Sequence, residues 1–413
     1  MAVKADNPGL RERTDVAQRR RRSRVRYLVR ALTGGLLVMA AVQVTRHSVA
    51  TTLIKANPAQ AVGIAPWHAA AREALASETF GAGSSPSRNL FAEREARLAL
   101  GLDLTRSRAL RVVAQQADLT GRADLARTLF RLSENLSRRD LITELWLIED
   151  AVRRNNTGEA LEHYDYALRT TTAAELILFP ILGAGIPDVE IRRELLQLLK
   201  QDSPWREAFL SYSVGISDPR PTAMMFQELA QAKIAIPTPL LAALVNRLIG
   251  AAEFEGAWSA YSLLHPKERR EQVRQNRFEA QSITTRLDWV VEDEFADAAT
   301  LGEGLVLAVP SGAKGRAVRQ LQLLPTGRFR LAGRVHDVVG AAGASLLWRL
   351  SCADGREIGK VTAWRHGETA ADFAGSVVVP SGCNAQWLDL IVDSGAEETD
   401  LTGAVEFISL RRE

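Results

Sequence analysis

Histidines are the first side chains to consider for catalysis or metal binding in this chain of 413 residues. The six are His47, His68, His163, His265, His336 and His366. None lies in an HExxH motif, and no pair of them stands at ligand spacing with a nearby cysteine or carboxylate. His163 follows a helical pattern that predicts an exposed position. We therefore expect no metal site and no cofactor.

Other catalytic patterns are also missing from the sequence. It has no G-x-S-x-G nucleophile elbow, and no phosphate-binding glycine loop or GxGxxG in a strand-to-helix setting. The adjacent acids Glu292, Asp293 and Glu294 could suggest acid–base chemistry or calcium binding. Adjacent carboxylates on a strand point to opposite faces, so the cluster is more typical of a solvated turn or strand edge. We expect a protein that is not an enzyme.

Two cysteines, Cys352 and Cys383, exclude a four-cysteine zinc site and a disulfide-dense scaffold. The first lies at the end of a predicted strand and the second at the start of another. If this part of the chain is outside the cytoplasm, a disulfide between them is the natural hypothesis. Two inert thiols are the alternative.

Tryptophans in the C-terminal part raise the question of sugar binding, because aromatic faces stack on pyranose rings. Trp348 shares a predicted strand face with Leu346 and Leu350, which indicates a core position. Trp387 alternates with Leu388 and Leu390, and Trp364 follows Lys360 and Thr362 at period two, so these two tryptophans are the candidates for glycan stacking. Plain packing is the stronger alternative for both.

The N-terminal 30 residues contain ten Lys or Arg and only three acids. The arginines nearest the following apolar stretch are Arg19, Arg20, Arg21, Arg22, Arg24, Arg26 and Arg30. Residues 31–44 are uncharged, and the positive-inside rule places the basic side in the cytoplasm. The pattern predicts a basic cytoplasmic tail at 1–26, which would contact anionic lipid, and a single transmembrane helix at 27–45. A cleavable signal peptide, a buried helix and a nucleic-acid arm are the alternatives.

Residues 46–286 read as helices joined by short polar turns, and the pattern recurs with a repeat period of about 34 residues. Three sets of positions share this spacing: Ala92, Ala126 and Ala160; Ala96, Phe130 and Tyr164; Ala99, Ser133 and Ala167. Each set is related to the next by i, i+4 and i+7, which places all of them on one helix face. Small residues there let a partner helix approach, and the aromatic ring fills the space beyond.

These segments, LTGRADLARTLFRLSEN and NNTGEALEHYDYALRTT, resemble the tetratricopeptide repeat family. The family's early glycine is replaced by Ala114 and Ile148, and its terminal proline by Arg138 and Thr172. The resemblance implies an α-solenoid whose surface binds protein partners. A helical bundle without a groove is the alternative.

After Arg286 the apolar period shifts from 3.6 to 2 residues. About nine short strands, separated by Gly, Pro, Asp or Ser, predict an antiparallel β-sandwich or jelly roll over 287–413. The stretches LLPTGRFRLAGRV and VVVPSGCNAQWLDLIV resemble carbohydrate-binding, galactose-binding-like modules. That resemblance implies a polysaccharide partner for the β-domain.

The combined expectation is a multidomain α plus β protein of the inner membrane, with its bulk in the periplasm. It would be a non-enzymatic scaffold or adaptor in the assembly or export of an envelope polysaccharide. The alternative is a membrane-tethered glycan-binding module in which the repeats act as a spacer. Residues 1–30 carry a net charge of +7, whereas the rest of the chain has 42 bases against 46 acids and is slightly acidic, so we expect no nucleic-acid partner.

Overall fold

The computed structural model describes residues 8–81, 85–369, 372–395 and 399–413. For residues 8–25, 28 and 29 it describes the backbone only. The chain forms two compact units, residues 1–174 and 175–413. We call them the helical unit and the mixed unit. The sequence predicts a boundary between a helical domain and a β-domain at residues 286/287. In its described residues, the mixed unit contains six helices in addition to the strands.

Helix α1 spans Pro8–Leu53 and contains the predicted transmembrane segment 27–45. Within the described residues, no helix combines the length and apolar character needed to cross a membrane, so the predicted transmembrane helix is not supported. The uncharged stretch between Arg30 and Arg46 has only 15 residues, whereas a bilayer core needs about 20.

The rest of the helical unit consists of short helices that pair through tight turns. They are α2 (Pro58–Ile64), α3 (Ala69–Thr79), α4 (Pro86–Leu102), α5 (Ser107–Leu119), α6 (Ala123–Leu136), α7 (Leu141–Arg153) and α8 (Thr157–Thr170). The three sets of positions that follow the repeat period fall on α4, α6 and α8, and all of them are buried. Phe130 on α6 stacks against Trp146 on α7 with ring centroids 4.2 Å apart.

The turns α5–α6 and α7–α8 have the same backbone geometry and lie one repeat period apart. Gly121 and Asn155 both have left-handed φ angles, of 77° and 55°. At each turn the next amide donates back to a helix carbonyl, Arg122 N to Ala117 O and Asn156 N to Ala151 O, both at 2.9 Å. These bonds satisfy carbonyls that a helix end would leave unpaired. The repeat is therefore present in the turns as well as in the buried face.

Ion pairs link different helices of the helical unit. Asp150 on α7 accepts from Nε and Nη2 of Arg127 on α6, at 2.7 and 3.0 Å, and from Nε of Arg154 at 3.0 Å. Arg111 on α5 lies 2.8 Å from the carboxylate of Asp140. Both aspartates are largely buried, so their charges are stabilised mainly by these arginines.

The mixed unit begins with six helices: α9 (Ala173–Gly185), α10 (Val189–Lys200), α11 (Arg206–Ile216), α12 (Pro219–Gln231), α13 (Thr238–Gly250) and α14 (Phe254–Leu264). Helix α9 starts just before the unit boundary. Prolines begin helices here as well as interrupt them: Pro219 is the first residue of α12, behind Asp218, whose carboxylate accepts from Arg220 N. A proline at that position costs no hydrogen bond.

A two-sheet antiparallel sandwich follows. Its strands are β1 (Val290–Val291), β2 (Ala299–Leu301), β3 (Leu305–Val309), β4 (Lys314–Gln322), β5 (Gly327–Val339), β6 (Ser345–Cys352), β7 (Glu357–Arg365), β8 (Asp372–Val379), β9 (Gln386–Asp393) and β10 (Leu401–Arg412). The sheets have the orders β1-β4-β9-β6-β7 and β2-β3-β10-β5-β8. Their inner faces bury one continuous core that includes Trp289, Trp348, Leu390 and Ile408. The predicted sandwich is confirmed.

A buried polar cluster connects α14 to the first strands of the sandwich. Asp288 accepts from the hydroxyl of Tyr261 and from Nε2 of Gln275, both at 2.7 Å, and from N and Oγ1 of Thr285 at 2.8 Å. The fully buried Arg274 donates to the carbonyls of Leu287 and Leu321. The segment between α14 and β1 is therefore held by specific hydrogen bonds although it is not helical.

Candidate functional site

The mixed unit contains a cleft of about 500 Å³ at one end of the sandwich. One wall is the start of α14 and the segment that follows this helix, with Phe254, Glu255 and Arg270. The other wall is formed by the β4–β5 and β8–β9 loops, which contribute Thr326 and Asn384. The cleft thus brings together side chains from four separate stretches of sequence.

Charged groups line the helical wall of this cleft. Glu255 accepts from both terminal nitrogens of Arg270 at 2.5 Å, and this hydrogen bonding lowers the pKa of Glu255. Glu253 is paired with Arg220, whose Nη2 lies 2.6 Å from both carboxylate oxygens and whose Nε donates to Oε2 at 2.9 Å. Each carboxylate is therefore oriented by a charge-assisted, two-point contact with an arginine. They can accept hydrogen bonds from a bound ligand.

The loop wall is fixed by one buried side chain and one covalent bond. Gln386 accepts from Leu324 N at 2.9 Å and donates to the carbonyls of Leu324 and Cys383, at 3.2 and 2.5 Å. Cys383 is joined to Cys352 by a disulfide, with the Cα atoms 5.5 Å apart. Both loops of the cleft are thus tied to the same point at the start of β9.

The outer face of the sheet β1-β4-β9-β6-β7 carries a second polar group of residues. Arg319 on β4 and Arg349 on β6 lie directly opposite Asp389 on β9, one on each side. Arg349 donates to Asp389 at 2.8 Å, and burial together with the nearby Arg316 lowers the pKa of Arg319. Trp387, a glycan-stacking candidate, lies on this face with the Arg319 guanidinium 3.5 Å from its ring centroid. One face of the ring is therefore already covered.

The other candidate, Trp364, is buried, with 3% of its surface exposed. Its Nε1 donates to the carbonyl of Glu368. The period-two pattern misplaces it because the β6–β7 pairing shifts register here: Leu347 pairs with Thr362, but Leu346 pairs with Trp364. The bulge turns Trp364 onto the core face, so its ring is not available to a ligand.

His163 is also buried, contrary to the sequence expectation. Its Nδ1 lies 3.0 Å from Oε2 of Glu144 on α7 and 3.5 Å from Oε1 of Glu134 on α6. Burial opposes protonation of the ring, but the hydrogen bonds to the two glutamates outweigh it and raise the pKa of His163 to about 9. One feature of the sequence could have indicated this burial. The position one repeat period before His163 is Leu129, which packs against the core. Because the ligand-type residues come from three helices, no short motif could reveal the cluster.

The basic residues that flank the apolar stretch are only partly described. Arg26 and Arg30 are exposed, whereas the side chains of Arg19, Arg20, Arg21, Arg22 and Arg24 lie outside the described residues. The repeat-packing residues Ala92, Ala126, Phe130, Ala160, Tyr164 and Ala167 are buried on one face of their helices.

Comparison with known proteins gives similarity for part of the chain only. No protein-family model matches, and no curated protein matches. The structure of TmCBM61 in complex with β-1,4-galactotriose aligns at 18% identity and TM-score 0.21, covering 30% of this chain and 81% of that one. A structure of carbohydrate-binding modules from the β-sandwich superfamily aligns at 19% identity and TM-score 0.22, covering 30% and 53%. The enzymatically active domain of bacteriophage CBA120 tailspike protein 4 aligns at 19% identity and TM-score 0.20, covering 26% and 15%.

Proposed function

We propose that this chain is a non-enzymatic carbohydrate-binding protein and that the cleft of the mixed unit holds the glycan. The observation that carries the proposal is the composition of the cleft: one half-buried aromatic ring, Phe254, beside carboxylate, guanidinium, hydroxyl and amide groups. A sugar offers hydroxyls that donate and accept hydrogen bonds, and apolar C–H faces that stack on a ring. The cleft provides a counterpart for each.

The size and the rigidity of the cleft support the same conclusion. Its volume of about 500 Å³ falls within the range that small-ligand sites usually occupy. The hydrogen bonds of Gln386 and the disulfide hold the loop wall before a ligand arrives, and Arg220 and Arg270 orient the two glutamates of the helical wall. A preformed site loses less conformational entropy on binding.

The test is binding of the full chain to a glycan array, followed by calorimetry with the sugars that bind. We expect Phe254→Ala and Asn384→Ala to weaken binding about tenfold or more, since each removes a direct contact. Trp387→Ala is the matched control, because that ring lies on the outer sheet face under Arg319. Near-UV circular dichroism checks that each variant is folded.

Two outcomes would refute the proposal. One is that no glycan on the array binds. The other is that Trp387→Ala abolishes binding while Phe254→Ala leaves it unchanged.

A second function, partner binding by the helical unit, is supported by a repeated apolar surface. Phe91, Leu98 and Leu102 are exposed on α4, and the positions one repeat period later on α6 are also exposed apolar residues: Leu125, Leu132 and Leu136. Exposed apolar strips of this kind typically mark protein contacts. Crosslinking in intact cells should recover envelope-assembly proteins, and Leu98→Glu with Leu132→Glu should abolish their recovery if this strip is the contact.

We further propose that the bulk of the chain functions in the periplasm. The Cys352–Cys383 disulfide supports this, since such bonds persist in oxidising compartments. Alkaline phosphatase fused after Leu410 should be active, because that enzyme needs export to form its own disulfides. An inactive fusion, with a cytoplasmic reporter active at the same site, would overturn the proposal.

A further inference from the structure

The cluster of His163, Glu144 and Glu134 in the helical unit consists of residue types that bind metal ions. One ligand atom from each lies within 4.8 Å of the others. Each side chain comes from a different helix, α8, α7 and α6 in that order. Three consecutive helices thus converge on one point.

The separations within the cluster fit a small coordination sphere. Nδ1 of His163 is 3.0 Å from an oxygen of Glu144 and 3.5 Å from an oxygen of Glu134. Ligand atoms bound tetrahedrally at about 2.0–2.1 Å lie about 3.3 Å apart. One nitrogen that faces two carboxylates can therefore accommodate a shared cation after only small side-chain movements.

A second observation is the incomplete hydrogen bonding of Glu144. Its side chain has no exposed surface, and Oε1 has no hydrogen-bond partner. An unpartnered carboxylate oxygen in the interior is unfavourable. A bound cation would satisfy this oxygen and balance the charges of both glutamates.

We propose that His163, Glu144 and Glu134 bind a divalent transition-metal ion of the zinc class, with water completing the coordination. One imidazole with two carboxylates suits Zn²⁺ or a neighbouring first-row ion. It does not suit Ca²⁺, which takes six to eight oxygen ligands. The ion would replace the proton at Nδ1 and fasten α6, α7 and α8 together, so its role is structural.

The experiment is calorimetric titration of the full, metal-stripped chain with ZnCl₂, with CaCl₂ as a second probe. We expect one Zn²⁺ per chain and no comparable heat from Ca²⁺. The Co²⁺ form should show visible absorption bands typical of a four-coordinate site. Saturating Zn²⁺ should also raise the melting temperature of the helical unit.

Variants assign the site to these residues. His163→Ala and Glu134→Gln should each lower the Zn²⁺ affinity at least tenfold. Glu134 is less deeply buried than Glu144, so its change is the safer one for folding, which far-UV circular dichroism checks. His336→Ala is the matched control, because His336 forms an exposed pair with a single carboxylate, Asp337. The absence of saturable Zn²⁺ binding, or binding that survives Glu134→Gln in a folded chain, would overturn the proposal.

Discussion

The helical unit and the sandwich of the mixed unit bury different kinds of side chains. Between α3, α4 and α5 the core is mostly alanine, with Ala92, Ala96 and Ala99 fully buried. The sandwich core is aromatic and branched, and the rings of Trp289 and Trp348 lie 5.7 Å apart within it. Small side chains bring helices close but bury little apolar surface each, so charged groups join the packing in the helical unit. The sandwich core buries more apolar surface per side chain, and a disulfide is added to it.

The largest expected effect tests whether the helical unit depends on its few large side chains. Phe130→Ala removes the ring that stacks on Trp146 and should destabilise the helical unit by about 3–5 kcal/mol. Leu132→Ala on the same helix is the control, because Leu132 is 47% exposed and its loss should cost under about 0.5 kcal/mol. Urea unfolding followed by far-UV circular dichroism measures both. If Phe130→Ala lowered the free energy of unfolding as little as Leu132→Ala, the alanine contacts alone would be holding the helices together.

Reducing the disulfide should affect the stability of the mixed unit but not that of the helical unit, and one experiment can measure both. Reduction of Cys352–Cys383 should destabilise the mixed unit by about 2–4 kcal/mol, since it frees a long loop in the unfolded state. The helical unit contains neither cysteine, so its transition should not move. Calorimetry with and without reductant gives the answer, and the Cys352→Ala, Cys383→Ala double variant should be insensitive to reductant. A shift of both transitions together would contradict the distinction.

Acid should affect the helical unit through its buried aspartate. Burial alone would raise the pKa of Asp150, but hydrogen bonds from Arg127 and Arg154 outweigh it and lower the pKa. The stabilisation is therefore present above the unfolded-state pKa of about 3.9 and is lost as the pH falls through the lower folded-state value. Asp150→Asn should cost about 1–3 kcal/mol at pH 7 and flatten the loss of stability below pH 4.

The matched control for this prediction is Asp124→Asn. Asp124 also pairs with Arg127, but its side chain is fully exposed. We expect a change of under about 0.5 kcal/mol. A steep acid transition that persists in Asp150→Asn would assign the effect to other carboxylates.

The smallest effect tests whether the two repeat turns are equivalent. Gly121→Ala places a side chain at a φ of 77° and should cost about 1 kcal/mol. Asn155→Gly relieves the same strain and should stabilise the unit by less than about 1 kcal/mol. Thermal melts of the two single variants suffice. Effects of the same sign would mean that the turns differ despite their common spacing.

Local patterns anticipated much of this fold, because they report directly on burial. Ala126, Phe130 and Ala160 lie where the helical period predicts, and Trp348 lies in the sandwich core. Trp364 does not follow its pattern, because a bulge is set by pairing with a neighbouring strand. His163 differs since its burial depends on two carboxylates from other helices.

The cleft could not be predicted either, because it also depends on contacts between segments that are far apart in the sequence. Its residues run from Ala252 to Asn384 and come together only through tertiary contacts. A lone Phe254 on a short helix or an Asn384 in a loop carries no signal of its own. What the sequence alone provided was the strand-rich region that supplies one of the two walls.

The cluster of Tyr261, Arg274 and Asp288 limits how this sandwich can be exchanged between proteins. A gene fragment that began at residue 287 would encode every strand but would leave Asp288 without the donors of Tyr261, Gln275 and Thr285. It would also expose the face of Trp289 that packs on Phe278. Recombination could therefore transfer this sandwich intact to another protein only together with α14 and the segment after it. The smallest transferable fragment is longer than the strands alone.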